Sequence, residues 1–173
     1  MIIVLIGYMT SGKSSIGKKL ARKRHIPFVD LDDYIAQKEQ LAIPDIFKTN
    51  GEIYFRKKET IYLNELLQRK DDFILALGGG TPCYGNNMNT IKLKAFSVYL
   101  KSSITTIYNK LSKQKNKKKR PLVATVKTTD LKEFIAKHLF ERSPFYEQAT
   151  ITVTVDTKTK NEITEEINSN MPS

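Results

Sequence analysis

The chain opens Met1-Ile2-Ile3-Val4-Leu5-Ile6-Gly7-Tyr8-Met9-Thr10-Ser11-Gly12-Lys13-Ser14, and the reading of this stretch decides the fold. Ile2 to Ile6 is unbroken by any polar residue, as in a strand buried on both faces; a surface strand would alternate. Past Lys13 the period changes. Ile16 and Leu20 fall four apart, with Lys18, Lys19, Arg22 and Lys23 on the opposite face, which predicts an amphipathic helix. Between strand and helix lies the pattern G-x-x-x-x-G-K-[ST], from Gly7 to Ser14. In that context the backbone N–H groups of the loop and the positive end of the helix dipole converge on one spot suited to a polyphosphate. Gly7 and Gly12 permit close backbone approach, Lys13 can follow the β- and γ-phosphates, and the Ser14 hydroxyl can ligate the accompanying Mg²⁺. A glycine-containing turn between two core elements is the bland alternative; the strand before and the helix after favour the nucleotide.

Working outward, 173 residues suffice for one domain with its own core. The opening apolar run is too short to cross a bilayer and has no basic stretch before it, so neither a membrane helix nor a secretory leader is expected. Cys83 is the only cysteine, which fits a reducing, cytoplasmic setting and leaves no internal disulfide. The net charge of +11 suits nucleic acid or small anions alike, but Lys115, Lys117, Lys118, Lys119 and Arg120 concentrate much of it in one run. No aromatic residue is interleaved there to stack on bases, so nucleic acid is not the expected partner.

Along the chain, Phe28-Val29-Asp30-Leu31-Asp32-Asp33 reads as a short strand running into carboxylates at the sheet edge where ligands bind in open α/β folds. If the segment stays extended, Asp30 and Asp32 point one way and Leu31 the other, while Asp33 begins the next helix. Ile43 to Phe47 gives a short helical turn, and Gly51 opens a longer helix to Leu67 on which Arg56 stands three before Glu59. By spacing alone that pair reads as a solvated surface pair. Phe73 to Leu77 is a third buried strand, and it ends in Gly78-Gly79-Gly80, bare backbone against which a ligand can lie. Phe96 to Leu100 is a fourth strand and Ile151 to Val155 a fifth. Lys113 to Val126 is basic and irregular, and a long loop of this kind is usually functional or disordered. Helical periodicity returns at Leu131 and closes over Arg142-Ser143-Pro144-Phe145-Tyr146; Ile163 and Ile167 mark a terminal helix. His25 and His138 have neither a cysteine cluster nor a triad setting, so no metal or catalytic role is expected of them. Strands alternating with helices demand a parallel sheet with right-handed crossovers. Arginines from three distant segments, Arg56, Arg120 and Arg142, are what a kinase for a small anionic metabolite requires.

These motifs, in this order, resemble the shikimate kinase family nearly end to end: GYMTSGKSSIG at 7–17, DLDD at 30–33, IPDIF at 43–47, GEIYFRKKE at 51–59, the triple glycine at 78–80, RPL at 120–122 and ERSPFY at 141–146. The resemblance implies a single-domain α/β P-loop kinase over residues 1–173, with a central five-stranded parallel sheet flanked by helices, a mobile lid near 113–126 and an acceptor-binding segment near 32–62. It implies transfer of the γ-phosphate of ATP to the 3-hydroxyl of shikimate, by a monomer. Gly7, Thr10, Ser11, Gly12, Lys13, Ser14 and Ser15 would hold the nucleotide phosphates, and Ser14, with Asp30 acting through water, the Mg²⁺. Asp32 would hold the shikimate hydroxyls and orient or deprotonate the attacking one. Arg56 and Arg142 would pair with the shikimate carboxylate beside Gly78, Gly79 and Gly80, and Arg120 in the lid would close over the transferring phosphoryl group. Three departures stand out. Thr10 occupies a position that is glycine in many members, the basic residue near the adenine is either Lys158 or Lys160, and the lid is unusually rich in lysine. A related kinase for gluconate or a nucleoside monophosphate, and a nucleotide-dependent nucleic-acid-binding protein, are the rival readings.

Overall fold

The computed structural model describes residues 1–113 and 121–172. Five strands, β1 (Ile2–Ile6), β2 (Phe28–Asp30), β3 (Phe73–Ala76), β4 (Phe96–Lys101) and β5 (Ile151–Thr154), form one sheet in the order β2-β3-β1-β4-β5. Every pairing is parallel, with β1 central between β3 and β4. All of β1 is buried, as its unbroken apolar run requires. Ile2, Val4 and Ile6 enter the core on one face, Ile3 and Leu5 that on the other.

Helices close both faces. Ile16 and Leu20 of α1 (Lys13–Arg24) and Ile163 and Ile167 of α8 (Lys160–Asn170) pack with Ile3 and Leu5. The opposite face is covered by α2 (Leu31–Glu39), α3 (Ile43–Leu67), α4 (Asn87–Lys94), α5 (Ile104–Leu111) and α7 (Leu131–Tyr146), which contribute Leu31, Leu63, Ile91, Ile107 and Ile135. A single turn, α6 (Pro121–Ala124), precedes α7; proline opens it, where the missing N–H costs nothing.

Three expectations are corrected. β2 ends at Asp30 and Leu31 already belongs to α2, so Asp32 lies in the first turn of a helix and not on an extended strand. The cause is local: the Asp30 carboxylate accepts the backbone N–H of Asp32 at 3.0 Å and caps the helix two residues early. In α3, the helical turn expected at Ile43 to Phe47 is longer and runs on to Gly51, where a kink at φ 85° and ψ 172° opens the second half as expected. Finally, α4 was not expected; only Asn87, Met88 and Ile91 of its eight residues are buried, too few to give a periodic signal. Half of the expected lid of 113–126, residues 114–120 with Arg120, lies outside the described residues.

Candidate active site

The phosphate loop follows from β1 being central and α1 starting at once. Gly7 has φ 149°, and a Cβ there would come within 2.7 Å of the Leu100 carbonyl, so β1 and β4 leave room only for glycine. Gly12, at φ 89°, caps α1. Lys13 Nζ folds back over the loop, donating to the carbonyls of Gly7 at 2.8 Å and Tyr8 at 3.0 Å. Ser11 is buried and Ser15 donates to the Gly12 carbonyl at 3.2 Å. Thr10, by contrast, stands at φ 65°, in the left-handed region that a β-branched residue enters at a cost, and its buried hydroxyl has no partner among the described residues. That backbone angle is the physical reason glycine suits the position.

The carboxylates beside the loop come from the β2–α2 junction. Ser14 Oγ donates to Asp30 Oδ2 at 3.0 Å, bringing two hard oxygen donors together at the mouth of the loop. Asp32, two residues on, is partly buried at the edge of the cleft: desolvation, then the neighbouring charges of Asp30 and Glu59, push its carboxyl from 3.8 to about 6 against the opposing pull of Lys13 and Arg56. A cleft of about 530 Å³ is lined by Lys13, Ser14, Asp30, Asp32, Gly78 and Gly79, among others.

The triple glycine joins this cleft to the arginines. A Cβ on Gly78 would sit 3.4 Å from Asp32 Oδ1, one on Gly79 3.0 Å from Arg142 Nη1, and one on Gly80 only 2.5 Å from Arg56 Nη2. Gly80, and more loosely Gly79, is thus the space that an arginine uses, while a side chain at Gly78 would crowd the Thr81 hydroxyl first, at 3.2 Å. Arg56 is not a solvated surface residue: its guanidinium donates to Glu59 Oε1 at 2.7 Å, with the side chains 14% and 1% exposed. The second oxygen of Glu59 accepts the Thr81 hydroxyl at 2.6 Å, and Asn87 Nδ2 in turn holds the Thr81 carbonyl at 2.9 Å. Arg56 therefore stands fixed, its Nη2 in the space beside Gly80 and its Nε 3.8 Å from Glu52 Oε1. Arg142 reaches the same turn from α7, and Tyr146 donates to the Gly79 carbonyl at 2.5 Å.

This chain of motifs has known relatives. The family model described as shikimate kinase matches residues 9–172. The chain belongs to the shikimate kinase family. A shikimate kinase of Flavobacterium johnsoniae is 49% identical over 166 residues, 95% of each chain, and one of Flavobacterium psychrophilum 43% identical over the same span and shares. Among solved structures, a shikimate kinase from Acinetobacter baumannii in complex with shikimate superposes with a TM-score of 0.85 at 31% identity, over 97% of this chain and 90% of that one.

Of the residues expected from this shikimate kinase resemblance, Gly7, Thr10, Ser11, Gly12, Lys13, Ser14, Ser15, Asp30, Asp32, Arg56, Gly78, Gly79, Gly80 and Arg142 gather at the carboxyl edge of the sheet, around the cleft and the turn beside it. Arg120 lies outside the described residues. Lys158 is turned away to Glu166 at 2.5 Å, and Lys160 begins α8; neither lines the cleft. Two contributors escaped the sequence reading. Lys110 of α5 lines the cleft and donates to the Thr10 carbonyl at 3.2 Å, but on a helix a lysine opposite apolar residues reads as solvated. Thr81 anchors Glu59, and nothing in its sequence neighbourhood marks it.

Proposed function

We propose that this cleft carries the reaction of its family, transfer of the γ-phosphate of ATP to the 3-hydroxyl of shikimate, giving ADP and shikimate 3-phosphate. The observation that carries the reading is Asp32: a partly buried carboxylate with a raised pKa, next to the phosphate loop on one side and the glycine turn with its arginines on the other. Phosphoryl transfer is mainly positioning and charge neutralisation, and the residues divide accordingly. Lys13 and the loop N–H groups hold the β- and γ-phosphates. Asp32 accepts a hydrogen bond from the attacking hydroxyl and takes its proton as the P–O bond forms; a base with a pKa near the working pH suits that task. Arg56 and Arg142 grip the acceptor carboxylate, with Glu59 and Thr81 holding Arg56 in place.

The donor set also fits Mg²⁺. Ser14 Oγ and Asp30 Oδ2 are oxygen ligands of the kind this ion takes in twos, the remainder coming from phosphates and water. When bound with the nucleotide, the ion would neutralise charge between the β- and γ-phosphates.

Replacing Asp32 tests the assignment of roles. Asp32→Asn keeps the shape and should leave ATP affinity near the wild-type value while lowering kcat with shikimate by about 10²–10⁴. Unchanged turnover would reduce Asp32 to a residue of the α2 first turn.

A further inference from the structure

Three residues of α7 stand four apart, His138, Arg142 and Tyr146, and so share one face of the helix. All three point at the site. Tyr146 donates to the Gly79 carbonyl, and Arg142 lies against Gly79 with its guanidinium carbon 5.8 Å from the centre of the Tyr8 ring. His138 Nδ1 stands 2.9 Å from the Tyr8 hydroxyl, the two rings meeting edge to face with centroids 5.4 Å apart. Tyr8 is the residue directly after Gly7 in the phosphate loop and is 1% exposed. The bond is a neutral one at pH 7: burial pushes the tyrosine up to about 12 and the imidazole down to about 4, with the Arg142 charge adding to the latter. A neutral imidazole leaves Nδ1 free to accept the hydroxyl proton. Phe134, one turn earlier, closes the other side of the imidazole at 5.4 Å.

Arg142 is held differently from Arg56. Where Arg56 has the Glu59 carboxylate, no ion pair to Arg142 is found among the described residues. Its place is set instead by the helix that carries it, by the Tyr8 ring it covers and by the Tyr146 hydroxyl one turn on. That helix is tied to the phosphate loop by the Tyr8–His138 bond and to the glycine turn by Tyr146.

We propose that Tyr8 and His138 are positioning residues: their hydrogen bond locks α7 onto the phosphate loop and so aims Arg142 at the acceptor anion. The inference rests on the reading of Arg142 as a carboxylate ligand. It makes the loop that binds one substrate part of the frame for the other. A neutral anchor serves here better than a carboxylate would, because it orients the guanidinium without neutralising the charge the acceptor needs.

The test is a double-mutant cycle read in the KM for shikimate and the KM for ATP, with Tm recorded for each variant. Tyr8→Phe keeps the ring under Arg142 and removes only the hydroxyl; His138→Leu removes the acceptor. Each single variant should raise the KM for shikimate about tenfold, the scale of one hydrogen bond, while the KM for ATP changes less than about twofold. The double variant should be no worse than either single one, and His138→Asn, which offers an oxygen near the Nδ1 position, should recover most of the loss. Lowered Tm with both KM values unchanged would overturn the inference, as would equal effects on the two substrates. Arg142→Lys in the same assay separates the two levels. If it leaves the KM for shikimate unchanged, the ligand role of Arg142 fails and the inference with it. If it raises that KM while Tyr8→Phe and His138→Leu do not, only the positioning role fails.

Discussion

Asp32 shows how one side chain can be costly to the fold and useful to the site. Its carboxyl is raised from 3.8 to about 6 chiefly by burial, so the folded chain holds this proton more tightly than the unfolded one. Ionisation therefore costs stability: the penalty is absent below about pH 4, grows between pH 4 and pH 6 and is complete above, reaching up to about 3 kcal/mol. Asp32→Asn should accordingly raise Tm at pH 7.5 and bring no gain at pH 4, as thermal denaturation at the two pH values will show. With Asp32 as the proposed base, kcat/KM for shikimate in the wild type should fall on the acid side with an apparent pKa near 6, since that role needs the ionised carboxylate. Gly80 is the complementary case, a residue that acts by being small. Its φ of −89° suits any amino acid, but a Cβ would lie 2.5 Å from Arg56 Nη2. Gly80→Ala should lower Tm and raise the KM for shikimate by about tenfold or more, because the displaced guanidinium leaves the buried Glu59 carboxylate without its partner and the acceptor without its proposed ligand. Wild-type kinetics in that variant would show that Arg56 can move without loss.

The phosphate loop illustrates why some elements are legible in sequence and others are not. Its two glycines, lysine and serine announce it, since the chemistry needs those residue types at that spacing, and β1 and α1 on either side follow from periods of burial that no polar residue interrupts. The strain at Thr10 is not legible from the residue itself, because a φ of 65° belongs to the loop and is imposed on whatever stands there. Thr10→Gly should relieve it and remove an unpartnered buried hydroxyl, raising stability by about 1 kcal/mol in urea unfolding. A loss of stability of that size would mean the loop relies on the threonine methyl for packing. The β2–α2 junction was misread for a related reason. Alternation assigned Asp32 to an extended segment, whereas the Asp30 side chain captures the Asp32 N–H and starts the helix at Leu31. Periodicity carries no information about a cap of this kind. The Arg56–Glu59 pair was underrated by spacing alone, because i, i+3 pairs are the same on a wet face and a buried one; only the packing of α3 against the Thr81 turn distinguishes them.

In the molecule as a whole, a parallel sheet in the order β2-β3-β1-β4-β5 puts the ends of β1, β2 and β3 side by side, and each contributes one part of the site: phosphate loop, carboxylates and glycine turn. The arginines then arrive from α3 and α7, which pack on the same face of the sheet. The proposed acceptor, a small molecule with one anionic end and one nucleophilic hydroxyl, suits a site with arginines at the glycine turn and Asp32 beside the phosphate loop. Gluconate shares the carboxylate and a nucleoside monophosphate shares the taste for arginine, so the acceptor itself is the sharpest discriminator. The decisive measurement is ADP release from Mg²⁺-ATP by the purified chain with shikimate, gluconate, a nucleoside monophosphate or no acceptor. Rapid ADP formation with shikimate, little with the others and near-background release without acceptor is the expected result; equal or faster release with gluconate or the nucleoside monophosphate would contradict it.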